Sequence, residues 1–426
     1  MPSGNRLLPT LAGLLAVALA ASACGSDTAK AVEVKSSVAR ANANTAELAQ
    51  TAKALDAFTG ALYGEVAADA AGNVVLSPYS VAMALGMTRA GAAGATRTQL
   101  DAALHNTSTS FDAGLNAVDQ TLTSRTGEVR QGDKTVKLAL RTANALWPQK
   151  GYPFQQAYLD TLAANYGAAL HTVDYAKTEA ARQAINRWVA DQTNDKIENL
   201  IADGVLSPLV RLVLTNAVYL NAPWSTPFDE RSTSAASFTR LDNSVVTADF
   251  MHASEPTAYA KGAGWQAVEL PYAGEKLAMD IIVPDLGRFA AVDAQLSQGL
   301  SPFVSSLKTT PVQLAIPKFR FRTQTDLVDV LKALGVTDLF DPDRADLSGM
   351  TNAEKLFVSD VIHEAFIDVR ESGTEAAAAT AVVIKATAAP ATPIAVTVDR
   401  PFLFAIRDVE TNTTVFVGRV VDPTAT

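Results

Sequence analysis

The sequence is poor in the residues that build disulfides and metal sites. Its 426 residues contain one cysteine, Cys24, so no internal disulfide can form. The four histidines, His105, His171, His252 and His363, are scattered along the chain and have no cysteine partners for a zinc site. The formal net charge is −9, whereas a nucleic-acid partner requires a basic face. We therefore expect no metal, no cofactor and no nucleic-acid partner.

The motifs of common hydrolases and nucleotide-binding enzymes are also missing. G-x-S-x-G, H-E-x-x-H and a Walker loop do not occur. The segment from Ser305 to Lys308 matches S-x-x-K, the nucleophile motif of penicillin-binding enzymes. Its S-D-N and K-T-G companions are absent, and it precedes a strand pattern instead of opening a helix. Because nothing in the sequence activates a nucleophile, we expect that the protein is not an enzyme.

Residues 1–23 have the pattern of an export signal. Arg6 precedes the apolar run LLPTLAGLLAVALAA, and small residues follow it. Cys24 comes next and resembles the lipidated cysteine of a bacterial lipobox; the alternative is ordinary secretion after Ala23 with Cys24 incidental. Residues 24–44 are small and polar and are predicted to be a tether. We expect an exported protein, either a cell-surface lipoprotein anchored to the outer face of the cytoplasmic membrane or a secreted protein.

The remaining sequence changes from helical patterns to strand patterns near Val210. Apolar residues recur at helical spacing in AELAQTAKALDAFTGALYGEV, and Ser77 with Pro78 begins a second predicted helix. Later segments such as RLVLTNAVYLNAPW read as strands. Helices first and strands later, without regular alternation, predict an α+β fold with a large, mainly antiparallel sheet. No linker pattern interrupts this part, so residues 45–423 are predicted to form a single domain.

An alanine-rich segment, ESGTEAAAATAVVIKATAAPATP, lies between strand patterns near the C-terminus. Its composition fits a helix or a surface linker. If residues 374–385 form a strand, the even positions are all small or β-branched and uncharged, whereas the odd positions include Glu375 and Lys385. The segment is therefore able to enter a sheet with its even positions facing the core and its odd positions facing water.

Several segments, in order, resemble the serpin family, whose reactive loop offers itself to a protease as a substrate. They are GTEAAAAT, NVVLSPYSVAMALGMTRAGAAGATRTQL, RLVLTNAVYLNAPWSTPF, VELPYAGEKLAMDIIVP, ADLSGM and DRPFLFAIRDVETNTTVFVGRVVDP. The resemblance covers residues 48–423 and implies a serpin fold with helices clustered in the N-terminal half and an exposed C-terminal reactive loop over about residues 371–398. It also implies that the loop hinge consists of Gly373, Thr374, Glu375, Ala376, Ala377, Ala378, Ala379 and Thr380.

The resemblance implies two further groups of site residues. Ser77, Ser80, Asn216 and His363 match the polar cluster beneath the central sheet that controls its opening; helix capping by Ser77 and a satisfied core histidine are the alternatives. Trp224 matches the aromatic residue where the loop enters the sheet, with a plain core tryptophan as its alternative. In the same region, Glu371 matches the acidic residue at the loop base, and its expected basic partner is Lys318.

The position of the cleaved bond follows from the hinge. In the family it lies seventeen residues on, counting Glu371 as the first, which places Thr387 before the cut and Ala388 after it. Counting back from RPF points instead near Pro390, because this side of the loop is a few residues longer than usual. A small residue at the cut fits elastase-like or subtilisin-like proteases, whereas Lys385 as the cleaved position would suit a trypsin-like enzyme.

The resemblance implies a suicide-substrate inhibitor of serine proteases. The protease would form an acyl-enzyme with the loop, and residues 374–385 would then insert into the central sheet. No proline or charge occupies an even hinge position, which favours insertion. We expect a monomer whose partner is the target protease. A non-inhibitory surface binding module with the same fold is the alternative.

Overall fold

The computed structural model describes residues 31–375 and 392–426. The first six helices all end before residue 193, as the sequence predicts. The α-helices are α1 (Thr45–Asp69), α2 (Pro78–Ala90), α3 (Gly94–Ala103), α4 (Phe111–Thr123), α5 (Gln156–Thr161), α6 (Thr178–Gln192), α7 (Phe289–Leu296), α8 (Ser301–Val304) and α9 (Val328–Ala333). Ser77 caps α2, because its hydroxyl accepts a hydrogen bond from the Ser80 amide at 3.4 Å and Pro78 occupies the first turn.

Seventeen strands are described in the same residues. They are β1 (Val32–Val34), β2 (Val74–Leu76), β3 (Gly127–Gln131), β4 (Lys134–Pro148), β5 (Leu170–Thr172), β6 (Leu212–Pro223), β7 (Ser234–Thr239), β8 (Val245–Gly262), β9 (Trp265–Pro271), β10 (Leu277–Pro284), β11 (Lys308–Pro317), β12 (Phe319–Asp326), β13 (Asp360–Arg370), β14 (Gly373–Thr374), β15 (Ile394–Thr397), β16 (Phe402–Asp408) and β17 (Thr414–Val420). Most neighbouring strands run antiparallel, so the predicted α+β class with a mainly antiparallel sheet is confirmed.

The strands form two large sheets and one small one. A nine-stranded sheet has the order β15-β11-β8-β9-β10-β16-β17-β2, with β7 added beside β8. A six-stranded sheet has the order β12-β13-β14-β6-β4-β3. Strands β1 and β5 form a separate pair. In the six-stranded sheet, β6 and β13 pair directly and in parallel along their first halves, and β14 separates them further along.

Two hydrophobic cores hold the six-stranded sheet between them. The larger core includes Leu214 and Val218 of β6 and packs them with residues of the nine-stranded sheet and of α1 and α2. The smaller core includes Val213 and Ala217 of the same strand and packs them beneath α6 and the segment that follows it. Because successive residues of a strand point to opposite faces, both faces of β6 are buried, as its continuous apolar sequence predicts.

The structure differs from the sequence predictions at both ends of the domain. Residues 24–44 are predicted to be a tether, yet β1 pairs with β5, and Arg40 donates a hydrogen bond to Asn116 at 2.9 Å. From Val32 onward this stretch therefore packs on the domain. The predicted reactive loop over residues 371–398 is also too long, because β15 pairs in parallel with β11. Among the described residues, no helix is both long enough and apolar enough to cross a membrane.

Candidate functional site at the opening of the six-stranded sheet

The opening lies where β14 separates β6 from β13, and Trp224 forms its wall. Trp224 directly follows β6 and is 1% exposed. Its ring stacks on that of Tyr272 at 4.6 Å between centroids, and its indole N–H donates to the Arg370 carbonyl at 2.9 Å. Its backbone amide donates to the Ser372 carbonyl at 3.1 Å. Trp224 thus fixes the turn between β13 and β14 through both its backbone and its side chain.

Glu371 lies in that two-residue turn and is held by three neighbours. Its carboxylate accepts a hydrogen bond from the Thr233 hydroxyl at 2.8 Å and pairs with Lys318 at 3.3 Å. Its carbonyl accepts from the Phe228 amide at 2.9 Å. Burial raises the pKa of Glu371, but hydrogen bonds and the Lys318 charge outweigh it and lower the pKa overall. The carboxylate is therefore ionised near neutral pH, and the structure brings Glu371 and Lys318 together as the resemblance implies.

The first residues of the predicted hinge already lie in the sheet. Gly373 pairs with Arg370 of β13 and with Pro223 of β6, and Thr374 follows in the same register. Gly373 has a φ of 147°, and a Cβ atom there would lie 2.3 Å from the Ala222 carbonyl oxygen. Glycine is therefore required by both conformation and space. Two hinge residues thus occupy the start of the slot between β6 and β13.

Thr374 faces the core, as predicted for the even positions. Its side chain is buried, and its hydroxyl lies 2.6 Å from that of Tyr272. The strand ends at the next residue, because Glu375 has a left-handed φ of 53°. Its side chain does not face water as predicted for the odd positions; it is 11% exposed and forms an ion pair with Lys196. Burial raises the pKa of Glu375, although Lys196 opposes the shift.

Several predicted site residues lie outside the described residues. These are the rest of the hinge (Ala376, Ala377, Ala378, Ala379 and Thr380), the predicted cut between Thr387 and Ala388, its alternative Lys385, and the predicted lipidation site Cys24.

A buried polar cluster lies deeper in the same slot, where β6 and β13 pair directly. The Ser77 amide donates to Nε2 of His363 at 3.1 Å, and Nδ1 of His363 contacts Oδ1 of Asn216. The Asn216 amide group donates to Oδ1 of Asn144 at 2.7 Å, and the Ser80 hydroxyl donates to the same oxygen at 2.5 Å. The structure thus brings the four predicted residues together and adds Asn144, which links them to β4.

His363 is held in its neutral form. Because Nε2 accepts a hydrogen bond from a backbone amide, the ring proton resides on Nδ1 and is donated to Asn216. Burial lowers the pKa of His363 to about 4, and a hydrogen bond with the Asn216 backbone opposes this only in part. Protonation would place an N–H group against the Ser77 amide. The cluster is therefore a directional hydrogen-bond chain that joins α2, β4, β6 and β13 across the closed part of the slot.

Three contact residues of the site are absent from the sequence predictions. Asn144 lies directly opposite Asn216 on the neighbouring strand, and only the strand register reveals this. Lys196 follows α6 in a segment without regular structure, where no sequence signal distinguishes it from other lysines. Tyr272 directly follows β9, and its contact with Trp224 depends on how the two sheets pack. In the part of the chain that is described, no group of acidic, histidine or cysteine side chains is arranged to hold a metal ion.

Comparisons with known proteins agree with this architecture. A family model described as serpin (serine protease inhibitor) matches residues 53–423. An uncharacterized serpin-like protein of Thermococcus kodakarensis is 39% identical over 87% of this chain and 85% of its own length. The leukocyte elastase inhibitor of Sus scrofa is 35% identical over 83% of this chain and 94% of its own.

Two solved structures have a similar fold. The thermophilic serpin tengpin in its native state has a TM-score of 0.79 and 27% identity, covering 92% of this chain and all of that one. Serpin48, a highly specific serpin of the insect Tenebrio molitor, has a TM-score of 0.77 and 31% identity, covering 88% of this chain and 98% of its own.

Proposed function

The chain belongs to the serpin family, and on this premise we propose that it is a suicide-substrate inhibitor of serine proteases. The observation that carries the proposal is the position of Gly373 and Thr374 between β6 and β13. The same segment continues into the alanine-rich arm, residues 376–385. When a protease forms its acyl-enzyme with Thr387, the peptide bond to Ala388 breaks. The arm is then free at that end, with the protease attached through Thr387, and it would extend the strand that β14 has begun.

The strand register supports insertion of the whole arm. Thr374 lies opposite Ala222 on β6 and opposite Val369 on β13. Thr380 lies six residues after Thr374. In the two antiparallel partners, Asn216 lies six residues before Ala222, and His363 lies six residues before Val369. Both registers therefore bring Thr380 between Asn216 and His363. The contact between these two side chains would open on insertion, and the threonine hydroxyl would offer a hydrogen-bonding replacement.

The same register explains why the arm carries small side chains on both of its faces. It places Ala378 opposite Val218, which faces the larger core, and Ala379 opposite Ala217, which faces the smaller core. The odd positions would thus lie beneath α6 and the segment after it. Residues 194–200 cross this face, because Arg141 of β4 donates to Asn194 at 3.1 Å and Gln324 of β12 donates to the Leu200 carbonyl. Alanine at the odd positions fits this covered face better than it fits open water.

Insertion would supply enough free energy to disable a protease. Each new hydrogen bond contributes roughly 0.5–1.5 kcal/mol, so about a dozen residues bonded on both sides supply on the order of 10 kcal/mol. A catalytic site tolerates displacements of only about 1 Å. The intact fold is then a kinetically trapped state, and each inhibitor molecule acts once.

The expected target is a protease with a shallow pocket. The predicted cut between Thr387 and Ala388 suits subtilisin-like or elastase-like enzymes, and one similar protein is named as an elastase inhibitor. The alternative is a trypsin-like target, which would follow if Lys385 is the cleaved position. We further propose that Cys24 carries a lipid that anchors an exported, monomeric protein to the outer face of a cytoplasmic membrane; labelling with a radioactive fatty acid, with Cys24→Ser as control, tests this.

Incubation with subtilisin, elastase and trypsin tests the proposed function. We expect a complex that survives SDS with one of them, and sequencing of the released C-terminal peptide identifies the cut. The matched control is the same incubation with a protease whose catalytic serine has been blocked, which should give no such complex. Cleavage by all three enzymes without any stable complex would contradict inhibition and favour a non-inhibitory binding module.

A further inference from the structure

Lys196 meets Glu375 because of how the chain leaves α6. Helix α6 ends at Gln192, and Asn194 and Asp195 then adopt left-handed φ values of 51° and 58°. Asparagine and aspartate tolerate this conformation better than most residues. The Asp195 amide closes the turn by donating to the Ala190 carbonyl at 2.9 Å. This reversal brings the next residue, Lys196, over the six-stranded sheet and against the hinge.

Glu375 is an unfavourable residue to bury at the end of a docked strand. Its carboxylate oxygens are buried, and its backbone is left-handed. Its amide nevertheless donates to the Asp368 carbonyl at 2.8 Å, so it stays in the slot. The carboxylate of Asp368 lies near enough to repel it, and Arg320 near enough to attract it, but the paired cation is Lys196. A buried carboxylate without a paired cation would be driven into water.

We propose that Lys196 is a positioning residue for the inhibitory reaction: by pairing with Glu375 it holds the hinge docked in the sheet and shortens the exposed loop. This inference rests on the proposed function. The two residues of β14, at about 3.3 Å each, remove about 7 Å from the reach of the loop. A loop released at this end would fit a protease cleft more readily, because it would have more length with which to adapt.

The structural test is hydrogen exchange of the full-length chain at Thr374 and Glu375. Lys196→Met leaves the Glu375 charge unpaired, so the hinge should leave the slot and exchange about tenfold faster or more. Lys196→Arg should keep the slow exchange because it restores a cation. The double variant Lys196→Met with Glu375→Gln should also exchange slowly, because it buries no unpaired charge.

The matched control is Lys276→Met. Lys276 also pairs with a glutamate, Glu410, but both side chains are half exposed and belong to another part of the structure. Exchange at the hinge should not change in this variant. Unchanged exchange in Lys196→Met would overturn the proposal. Fast exchange in the double variant would also overturn it, because Lys196 would then act through the fold of its own segment and not through the Glu375 charge.

The functional test separates association from the later steps. Against the protease that forms a complex, Lys196→Met should raise the association rate constant several-fold and leave the number of inhibitor molecules consumed per protease unchanged. An unchanged association rate in a variant with a released hinge would overturn the proposed effect on the loop. If no protease forms a complex, the proposed function fails, whereas the exchange experiment still decides whether Lys196 holds the hinge.

Discussion

Replacing Thr374 with arginine should convert the inhibitor into a substrate. The Thr374 side chain is 2% exposed, and its hydroxyl contacts that of Tyr272 at 2.6 Å. An arginine there must bury its charge or keep the arm out of the sheet. Burying an ion without a partner costs several kcal/mol, and the lost hydrogen bond adds about 1 kcal/mol.

That cost is large relative to the gain from insertion. Each new hydrogen bond contributes about 0.5–1.5 kcal/mol, so the arginine offsets the contribution of several inserted residues at the point where insertion begins. Insertion should slow, and hydrolysis of the acyl-enzyme should finish first. The loop remains cleavable, because the substitution lies far from the predicted cut.

The assay counts inhibitor molecules consumed per protease and compares complex with cleaved inhibitor on SDS gels. The matched control is Thr397→Arg, which makes the same change at an exposed position of β15. Thr374→Arg should yield mainly cleaved inhibitor, and Thr397→Arg should behave as the parent protein. Equal amounts of complex from Thr374→Arg and the parent would refute the reasoning.

Two more predictions concern the slot. His363 has a folded pKa of about 4, below its unfolded value of about 6.5. The unfolded chain therefore binds more protons between these values, so this contribution to stability is complete above pH 6.5 and falls by about 3 kcal/mol as the pH is lowered to 4. Urea midpoints at pH 7.5 and 4.5 should differ less in His363→Gln than in the parent, and equal differences would contradict the assigned pKa. Ala379→Phe should slow insertion and yield more cleaved inhibitor, because overpacking beneath α6 costs about 1–3 kcal/mol; parent-like inhibition would mean that the odd face is open to water.

The sequence predicts local structure well where one pattern repeats over many residues. The apolar run of β6 and the helix that begins at Ser77 and Pro78 appear where expected. The strand β1 is absent from the predictions, because VEV is too short to stand out and acquires its strand form only beside β5. Local patterns carry no information about such a distant partner.

The sequence predicts which residues belong to the site, but it does not predict how they are arranged in space. The family resemblance identifies His363 and Asn216, and the structure then places them in contact. The docked state of Gly373 depends on a slot between two strands that are distant in the sequence. Strand alternation predicts that Glu375, an odd position, faces water, because alternation alone does not show that the segment after α6 covers that side.

Thermal unfolding of the cleaved and intact forms tests the central claim most directly. The loop is cut beyond residue 385, so that the arm stays whole, by a protease that the protein does not trap, and both forms are heated under the same conditions. If residues 376–385 join β6 and β13 after cleavage, the cut protein should melt at a much higher temperature than the intact one. Equal or lower melting of the cut protein would show that the arm stays outside the sheet, and the inhibitory mechanism would then be wrong.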